Sequence, residues 1–159
     1  MMTQDWFLPD ADATDRWAHA LAQALPTSFF FIALRGGLGA GKTHSVRALL
    51  RALGECGAVR SPTYTLLEDY PLDLRRVVHM DLYRLGDPEE LEYLGIRDLM
   101  GEPLTLIVEW PQRGEGVLPP VDLDIELRIQ ADGGRNAMAT ARSALAGEVL
   151  ENWCANSPV

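Results

Sequence analysis

The sequence has little positive charge. It carries 14 lysines and arginines against 23 aspartates and glutamates, which gives a net charge of -9 with the histidines neutral. Proteins that bind a phosphate backbone with their own surface concentrate cations there, and this composition argues against that class. We therefore expect any role near nucleic acid to depend on a partner protein.

Cysteines and long apolar runs are scarce as well. Cys56 and Cys154 are far apart and have neither metal-binding nor redox spacing, so we expect two free thiols in a reducing cytosol and assign them no function. The most apolar stretch, "FFFIAL", stops at Arg35 and is too short to span a membrane, and the first fifteen residues are acidic rather than basic. We expect a cytoplasmic protein without membrane association.

The composition that remains is that of one soluble globular domain. Of the 159 residues, 47% are hydrophobic and 23% are charged, which supplies both a core and a solvated surface. The chain contains no internal repeat, linker or low-complexity segment. We therefore treat residues 1–159 as a single domain.

Hydrophobic periodicity predicts four helices. After a frayed start, the first helix carries Trp17, Leu21 and Leu25 on one face, with Asp12 or Thr14 as its cap. The others are expected in "KTHSVRALLRALG", ending at Gly54, in the segment that Asp87 and Pro88 begin, and in "SALAGEVLENW".

Short apolar or alternating runs predict the strands. They are expected in "FFFIAL", around Tyr64 to Leu67, in "VVHMD", in "LTLIVE", and in a hairpin of "VDLDIELRI" and "RNAMATAR" around the turn "ADGG". Helices and strands alternate along most of the chain, which is typical of an α/β protein.

The glycine cluster "GGLGAGKT" is the motif with the clearest chemistry. Gly36, Gly41, Lys42 and Thr43 fit the pattern G-x-x-x-x-G-K-[ST] between a buried strand and an amphipathic helix. In this motif backbone N–H groups and the helix N-terminus face a phosphate, the lysine reaches the outer phosphates, and the hydroxyl can ligate Mg²⁺. We expect nucleotide binding here, in preference to a glycine-rich turn that only packs closely. The expected nucleotide-binding residues of this segment are Gly37, Leu38, Gly39, Ala40, Gly41, Lys42, Thr43 and His44.

Two acids stand at the ends of predicted strands. Asp81 ends "VVHMD" and Glu109 ends "LTLIVE". Ligands of open α/β sheets bind at the carboxyl ends of strands, and hydrolysis of a nucleotide needs an acidic group near Mg²⁺. Each acid could instead cap a turn or lie on the surface, but two of them beside a phosphate loop favour a functional role.

The segment "RSPTYTL" has two interpretations. Pro62 makes the chain before it extended, and Ser61, Thr63 and Thr65 bring several small hydroxyls together. Such a loop could close over a γ-phosphate as a switch region, or it could be an ordinary Ser/Thr turn, which the residues alone favour.

The motifs "GGLGAGKT", "RSPTYTL", "HMDLYRLGDPEELEYLGIRD" and "VEWPQRGEGVLP", in this order, resemble the TsaE (YjeE) family of bacterial ATPases. The resemblance runs from about the first helix to the final hairpin. It implies a P-loop NTPase-like three-layer α/β fold with a mostly parallel central sheet, to which the predicted C-terminal antiparallel hairpin is added. It also implies a Mg²⁺-dependent ATPase that serves the threonylcarbamoyladenosine modification of tRNA with the partners TsaB and TsaD, driving or resetting their threonylcarbamoyl transfer complex, with tRNA reached only through that complex.

Matched position by position, the resemblance implies catalytic roles for Lys42, Asp81 and Glu109. Thr43 and Glu109 correspond to residues that serve the Mg²⁺ site, and Trp110 to one that lies near the nucleotide. ATP is then the substrate and Mg²⁺ the cofactor.

The resemblance also reaches weaker motifs. Thr63 falls in the family's switch-like segment, Gly134 and Arg135 resemble a "GR" pair close to the nucleotide, and Thr14 resembles a residue near the base. The chain departs from the family at Gly37, where an aspartate is frequent.

A second departure is His44, which stands where a second Thr or Ser is usual. Its imidazole could touch a phosphate or cover the helix surface, and we favour the surface. Neither departure removes a required residue.

Two other functions are compatible with a phosphate loop. A small-molecule kinase would carry an arginine-rich lid, but Arg75 and Arg76 form the only adjacent basic pair and are explained by a solvated turn. A nucleotide-dependent binding module with negligible turnover would share every motif. Measured turnover with and without partners separates these alternatives.

Overall fold

The structure is a computed structural model that describes residues 2–59, 62, 66–73 and 75–159. Its strands are β1 (Thr3–Leu8), β2 (Phe30–Arg35), β3 (Leu67–Pro71), β4 (Arg76–Asp81), β5 (Leu104–Glu109), β6 (Leu123–Ile129) and β7 (Arg135–Ala141). Its helices are α1 (Ala11–Ala24), α2 (Lys42–Ala52), α3 (Glu90–Tyr93), α4 (Ile96–Leu99) and α5 (Ala144–Asn156), and a 3₁₀ turn covers Pro111–Gly114. Among the described residues, no helix combines the length and apolar character needed to cross a membrane.

All seven strands form one sheet in the order β1-β7-β6-β2-β5-β4-β3. The four central strands, β6, β2, β5 and β4, run parallel, whereas β1, β7 and β3 are joined to their neighbours by antiparallel pairing. The expected α/β fold and its C-terminal hairpin are confirmed. The parallel arrangement holds for the centre of the sheet only, because short connections join β6 to β7 and β3 to β4, and a short connection can only reverse the chain.

The sheet separates two apolar cores, which produces three layers. On one face the helices α1, α2 and α5 pack against inward residues such as Ile32, Leu34 and Ile107. On the other face α3 and α4 cover residues such as Phe31 and Val108. The continuous apolar sequence of β2 follows from this position, because alternate side chains enter different cores and both must be apolar.

The expectation of a frayed N-terminus is wrong. Thr3–Leu8 is an edge strand that pairs with β7 from Thr3 opposite Thr140 to Leu8 opposite Arg135. Only Trp6 and Leu8 of this strand are buried. Two apolar anchors among polar residues are too weak a signal, and the pairing depends on β7, which lies more than 120 residues away in the chain.

The boundaries of two helices differ from expectation. Asp10, rather than Asp12 or Thr14, caps α1 and accepts a hydrogen bond from Ala13 N at 2.8 Å. The helix expected after Pro88 is two short helices, α3 and α4, separated at Gly95, which adopts a left-handed conformation with φ of 76°. Helix α2 ends at Ala52, close to the predicted Gly54.

Three tryptophans hold the N-terminal strand, the first helix and the last helix together. The Trp153 ring lies 4.4 Å from the Trp6 ring and 5.0 Å from the Trp17 ring, measured between centroids. Trp153 Nε1 also donates a hydrogen bond to the Trp17 carbonyl at 2.9 Å.

Both cysteines, Cys56 and Cys154, are free thiols, as expected.

We predict that Trp153→Phe lowers the free energy of unfolding by about 1–3 kcal/mol, because the smaller ring leaves a gap and cannot donate the hydrogen bond to Trp17. Urea unfolding followed by far-UV circular dichroism measures this change. Tyr93→Phe is the control, since Tyr93 is 91% exposed and the change should be within about 0.5 kcal/mol. Equal stability of Trp153→Phe and the wild type would contradict the prediction.

Candidate functional site

Parallel register brings the two strand-end acids together. Glu109, the last residue of β5, lies opposite Leu34 of β2 on one side and Asp81 of β4 on the other. The chain continues from β2 through the glycine loop into α2, which begins at Lys42. The phosphate-loop motif and both acids therefore occupy the same edge of the sheet.

The glycine loop passes very close to the backbone of β6. A Cβ atom on Gly36 would lie 2.8 Å from the Leu127 carbonyl oxygen and 3.1 Å from the Ala40 Cβ, and its φ is 154°. A Cβ on Gly37 would meet no atom within 4 Å. Glycine is therefore required at the first position of the motif by sterics and not at the second, where the chain departs from the resembled family.

Lys42 lies at the centre of the site. Its Nζ donates a hydrogen bond to the Gly36 carbonyl at 2.6 Å and lies 3.8 Å from the centroid of the Trp110 ring. Burial lowers the pKa of Lys42, and the negative charges of Glu109 and Asp81 oppose that shift. The ammonium group is thus held inside the loop, where an incoming phosphate would meet it.

Glu109 is almost completely buried and is paired with a histidine. The side chain is 2% exposed, and its Oε2 lies 2.6 Å from Nε2 of His79, which is equally buried. His79 precedes Asp81 by two residues on β4, so both side chains point to the same face of the sheet. The sequence interpretation missed His79, although a lone histidine inside the apolar "VVHMD" strand was the available signal.

The backbone at Trp110 is strained. Trp110 has a φ of 55°, a left-handed conformation that costs a bulky residue about 1–3 kcal/mol. This conformation turns the chain out of β5 into the 3₁₀ turn and directs the indole over Lys42 and within 5.0 Å of the Tyr83 ring. Asp81 supports the same wall, because its Oδ1 accepts a hydrogen bond from Tyr83 N at 3.0 Å.

These groups line one open cleft of about 440 Å³. Its walls are formed by Leu38, Gly39, Ala40, Gly41, Lys42, Thr43, His44, Asp81, Tyr83, Arg84, Glu109 and Trp110. Ten of these twelve residues are among the predicted site residues; Tyr83 and Arg84 are additional, and Gly37 is exposed outside the cleft. Thr63, the expected switch residue, lies outside the described residues.

Thr14 and Arg135 line a neighbouring cleft of about 180 Å³. Arg135 Nε donates to the Ala40 carbonyl at 3.0 Å, and its Nη2 donates to the Gly39 carbonyl at 3.2 Å. The guanidinium thus contacts the carbonyl groups of the loop. His44 belongs to both clefts, and its Nε2 lies 3.1 Å from Asp15 Oδ1 on α1.

The donor set of the main cleft suits Mg²⁺ bound together with phosphates. The Thr43 hydroxyl and the carboxylates of Asp81 and Glu109 are hard oxygen donors. Within the described ranges no group of three or more His, Cys, Asp or Glu residues could hold a metal ion by itself. Mg²⁺ commonly binds through one or two carboxylates plus the phosphates of a substrate, and these residues fit that mode.

Comparison with known proteins agrees with this arrangement. The family model described as threonylcarbamoyl adenosine biosynthesis protein TsaE matches residues 8–137. The chain belongs to the TsaE family. TsaE of Haemophilus influenzae is 36% identical over 148 residues, covering 91% of this chain and 93% of that protein. TsaE of Synechocystis is 44% identical over 115 residues, covering 70% of this chain and 72% of that protein.

A solved structure extends the similarity to the fold. The crystal structure of YdiB from Bacillus subtilis superposes with a TM-score of 0.84 at 25% identity, covering 97% of this chain and 95% of that one. Membership of the TsaE family places the chain in tRNA threonylcarbamoyladenosine biosynthesis. The resemblance inferred from the motifs is therefore confirmed.

We predict that Gly36→Ala lowers the free energy of unfolding by about 2 kcal/mol or more, since its Cβ would collide with the backbone of β6. Gly37→Ala is the matched control and should change stability by no more than about 0.5 kcal/mol. Both variants are compared by urea denaturation. If the two substitutions have equal effects, the close approach at Gly36 does not determine the stability of the loop.

Proposed function

We propose that this protein is a single P-loop ATPase domain that hydrolyses ATP in a Mg²⁺-dependent reaction during threonylcarbamoyladenosine synthesis. One observation carries the proposal: the Lys42 ammonium lies inside the glycine loop with the carboxylates of Asp81 and Glu109 on the same cleft. Nucleotide hydrolysis requires a cationic side chain that binds the phosphates and acidic side chains that bind the metal ion, and this cleft contains both.

Binding would begin at the loop and the start of α2. The backbone N–H groups of the loop and the positive end of the helix attract phosphate oxygens, and Lys42 can exchange the Gly36 carbonyl for a phosphate. Arg135 supports the loop by donating hydrogen bonds to two of its carbonyl groups. With these carbonyls bonded to the guanidinium, the N–H groups of the loop can bind the ligand.

Hydrolysis would use the acids on the strand ends. We assign Thr43 and Glu109 to the Mg²⁺ site, and the ion would neutralise charge on the phosphates as they separate. Asp81 lies beside Glu109 and is less buried, so we assign it to turnover, through the attacking water or the outer shell of the site. Trp110 provides an apolar wall that limits water around Lys42.

The partners follow from the pathway and from the charge. The TsaE relatives are named for tRNA threonylcarbamoyladenosine biosynthesis, and a chain with a net charge of -9 is poorly suited to hold tRNA alone. We propose that it acts in the cytoplasm with TsaB and TsaD, that ATP turnover drives or resets their threonylcarbamoyl transfer complex, and that tRNA is reached only through that complex.

The adjacent arginines do not favour the kinase alternative. Arg76 pairs with Asp69 at 2.9 Å and also with Glu102. Arg75 donates hydrogen bonds to the Leu25 carbonyl at 3.3 Å and to the Pro26 carbonyl. Arg76 begins β4 and Arg75 directly precedes it, at the opposite end of that strand from Asp81, so the two arginines serve the fold and do not form a lid over the cleft.

We expect Lys42→Ala to weaken ATP binding and abolish turnover, because it removes the only lysine of the loop.

Glu109→Ala should reduce Mg²⁺-dependent turnover more than nucleotide affinity, and Asp81→Ala should mainly reduce turnover. We expect turnover to fall by about tenfold or more in each variant. Isothermal titration with ATP and phosphate release, with and without TsaB and TsaD, measure both quantities.

Asp69→Ala is the control, since Asp69 is an exposed acid that does not line the cleft. Equal loss of ATP affinity in Glu109→Ala and Asp81→Ala would contradict the assigned roles. Partners that neither bind the protein nor raise its turnover would contradict the proposed function. ATP-dependent partner binding and tRNA modification that persist when hydrolysis is blocked would favour the binding module, and phosphate transferred to a small acceptor would favour a kinase.

A further inference from the structure

His79 is a buried polar residue that does not line the main cleft. It lies in the middle of β4, is 0% exposed, and is one of the few polar residues in the core of the sheet. Its neighbours along the strand are Val78 and Met80, whose side chains enter the opposite core. A polar ring in such a place loses its hydration and needs a compensating partner.

The partner is the carboxylate of Glu109. Nε2 of His79 lies 2.6 Å from Oε2 of Glu109, a length typical of a strong hydrogen bond to a charged group. His79 pairs in register with Ile107, and Glu109 follows Ile107 by two residues, so the ring and the carboxylate share one face of the sheet. Backbone pairing therefore holds both ends of this bond in place.

The other ring nitrogen indicates which tautomer makes the bond. Nδ1 of His79 is buried and has no hydrogen-bond partner among the residues that the structure describes. A proton on Nδ1 would be a buried donor without an acceptor, which is costly. The arrangement is satisfied best by the tautomer whose Nε2–H donates to Glu109.

The bond leaves the two carboxylate oxygens of Glu109 with different surroundings. Oε2 accepts from His79 at the core side, while Glu109 also lines the cleft that contains Lys42 and Thr43. A carboxylate held by one oxygen cannot rotate freely, and its second oxygen, Oε1, is then the atom offered to a ligand in the cleft. Metal-binding residues are commonly oriented by a second residue in this way.

We propose that His79 is a positioning residue whose Nε2–H bond orients the Glu109 carboxylate toward the Mg²⁺ of bound ATP. This inference rests on the proposed function, because it needs Glu109 to serve the metal. His79 itself contacts neither metal nor nucleotide. It restricts the Glu109 side chain before binding. Less conformational entropy is then lost when the metal–nucleotide complex binds.

Two amide substitutions distinguish the effect of the hydrogen bond from the effect of losing the imidazole ring. His79→Gln carries its amide nitrogen about where Nε2 lies and can still donate to Glu109. His79→Asn carries the same amide nearer to the position of Nδ1 and cannot reach the carboxylate. Thr105→Val is the control for a buried polar residue, since Thr105 is 0% exposed on β5 and its hydroxyl has no partner within the described part of the chain.

The readout is the gain in ATP affinity that Mg²⁺ provides, measured by titration calorimetry in Mg²⁺ and in EDTA, with thermal unfolding confirming that each variant is folded. We expect His79→Asn to reduce the Mg²⁺-dependent gain in affinity by about threefold, with a larger loss of Mg²⁺-dependent turnover as in Glu109→Ala, while affinity in EDTA changes little. His79→Gln and Thr105→Val should retain most of the gain. A His79→Asn protein with the wild-type gain would overturn this inference.

A second measurement needs no nucleotide. Correlation of imidazole nitrogens and protons by NMR should show the His79 ring protonated at Nε2 and not at Nδ1, with a changed Nε2 shift in Glu109→Gln. A ring protonated at Nδ1 instead would overturn the inference even if the ATPase proposal holds. A wild-type protein whose ATP affinity does not respond to Mg²⁺ would overturn the proposed function, whatever the NMR result.

Discussion

The candidate site depends on a carboxylate that is buried at the end of a central strand. Glu109 is 2% exposed, and an ionised carboxylate in such a place is destabilising unless other groups compensate for its lost hydration. His79 supplies a hydrogen bond from the core side, and the positive charge of Lys42 acts from the loop side. The two groups hold the carboxylate between the sheet and the proposed phosphate site.

The glycine loop is held by a hairpin that is distant from it in sequence. Gly36 passes against the backbone of Leu127, and Arg135 bonds the carbonyls of Gly39 and Ala40. Leu127 and Arg135 belong to the hairpin of β6 and β7, which pairs with β2 through β6. The hairpin thus does more than extend the sheet, because it supports the loop that would bind phosphate.

The degree to which the site could be predicted differs from residue to residue. Lys42 and Thr43 belong to a local motif whose spacing implies its chemistry, and Asp81 and Glu109 could be expected to meet because parallel strands align their ends. His79 could not be assigned, since its partner lies 30 residues away and a lone histidine in a strand is compatible with many roles. Arg135 was expected near the nucleotide, and only the folded chain gives its guanidinium the loop carbonyls as partners.

The sequence by itself determined the α/β class, the phosphate-loop motif, the strands that carry Asp81 and Glu109, and the family, because these depend on local periodicity and on ordered motifs. The tertiary structure decided that Thr3–Leu8 is an edge strand, that only the central strands of the sheet are parallel, and that Trp110 turns left-handed over Lys42. Each of these depends on contacts between residues far apart in the chain. Such contacts stabilise the protein only when the sheet has formed. They therefore cannot be predicted from the local sequence pattern.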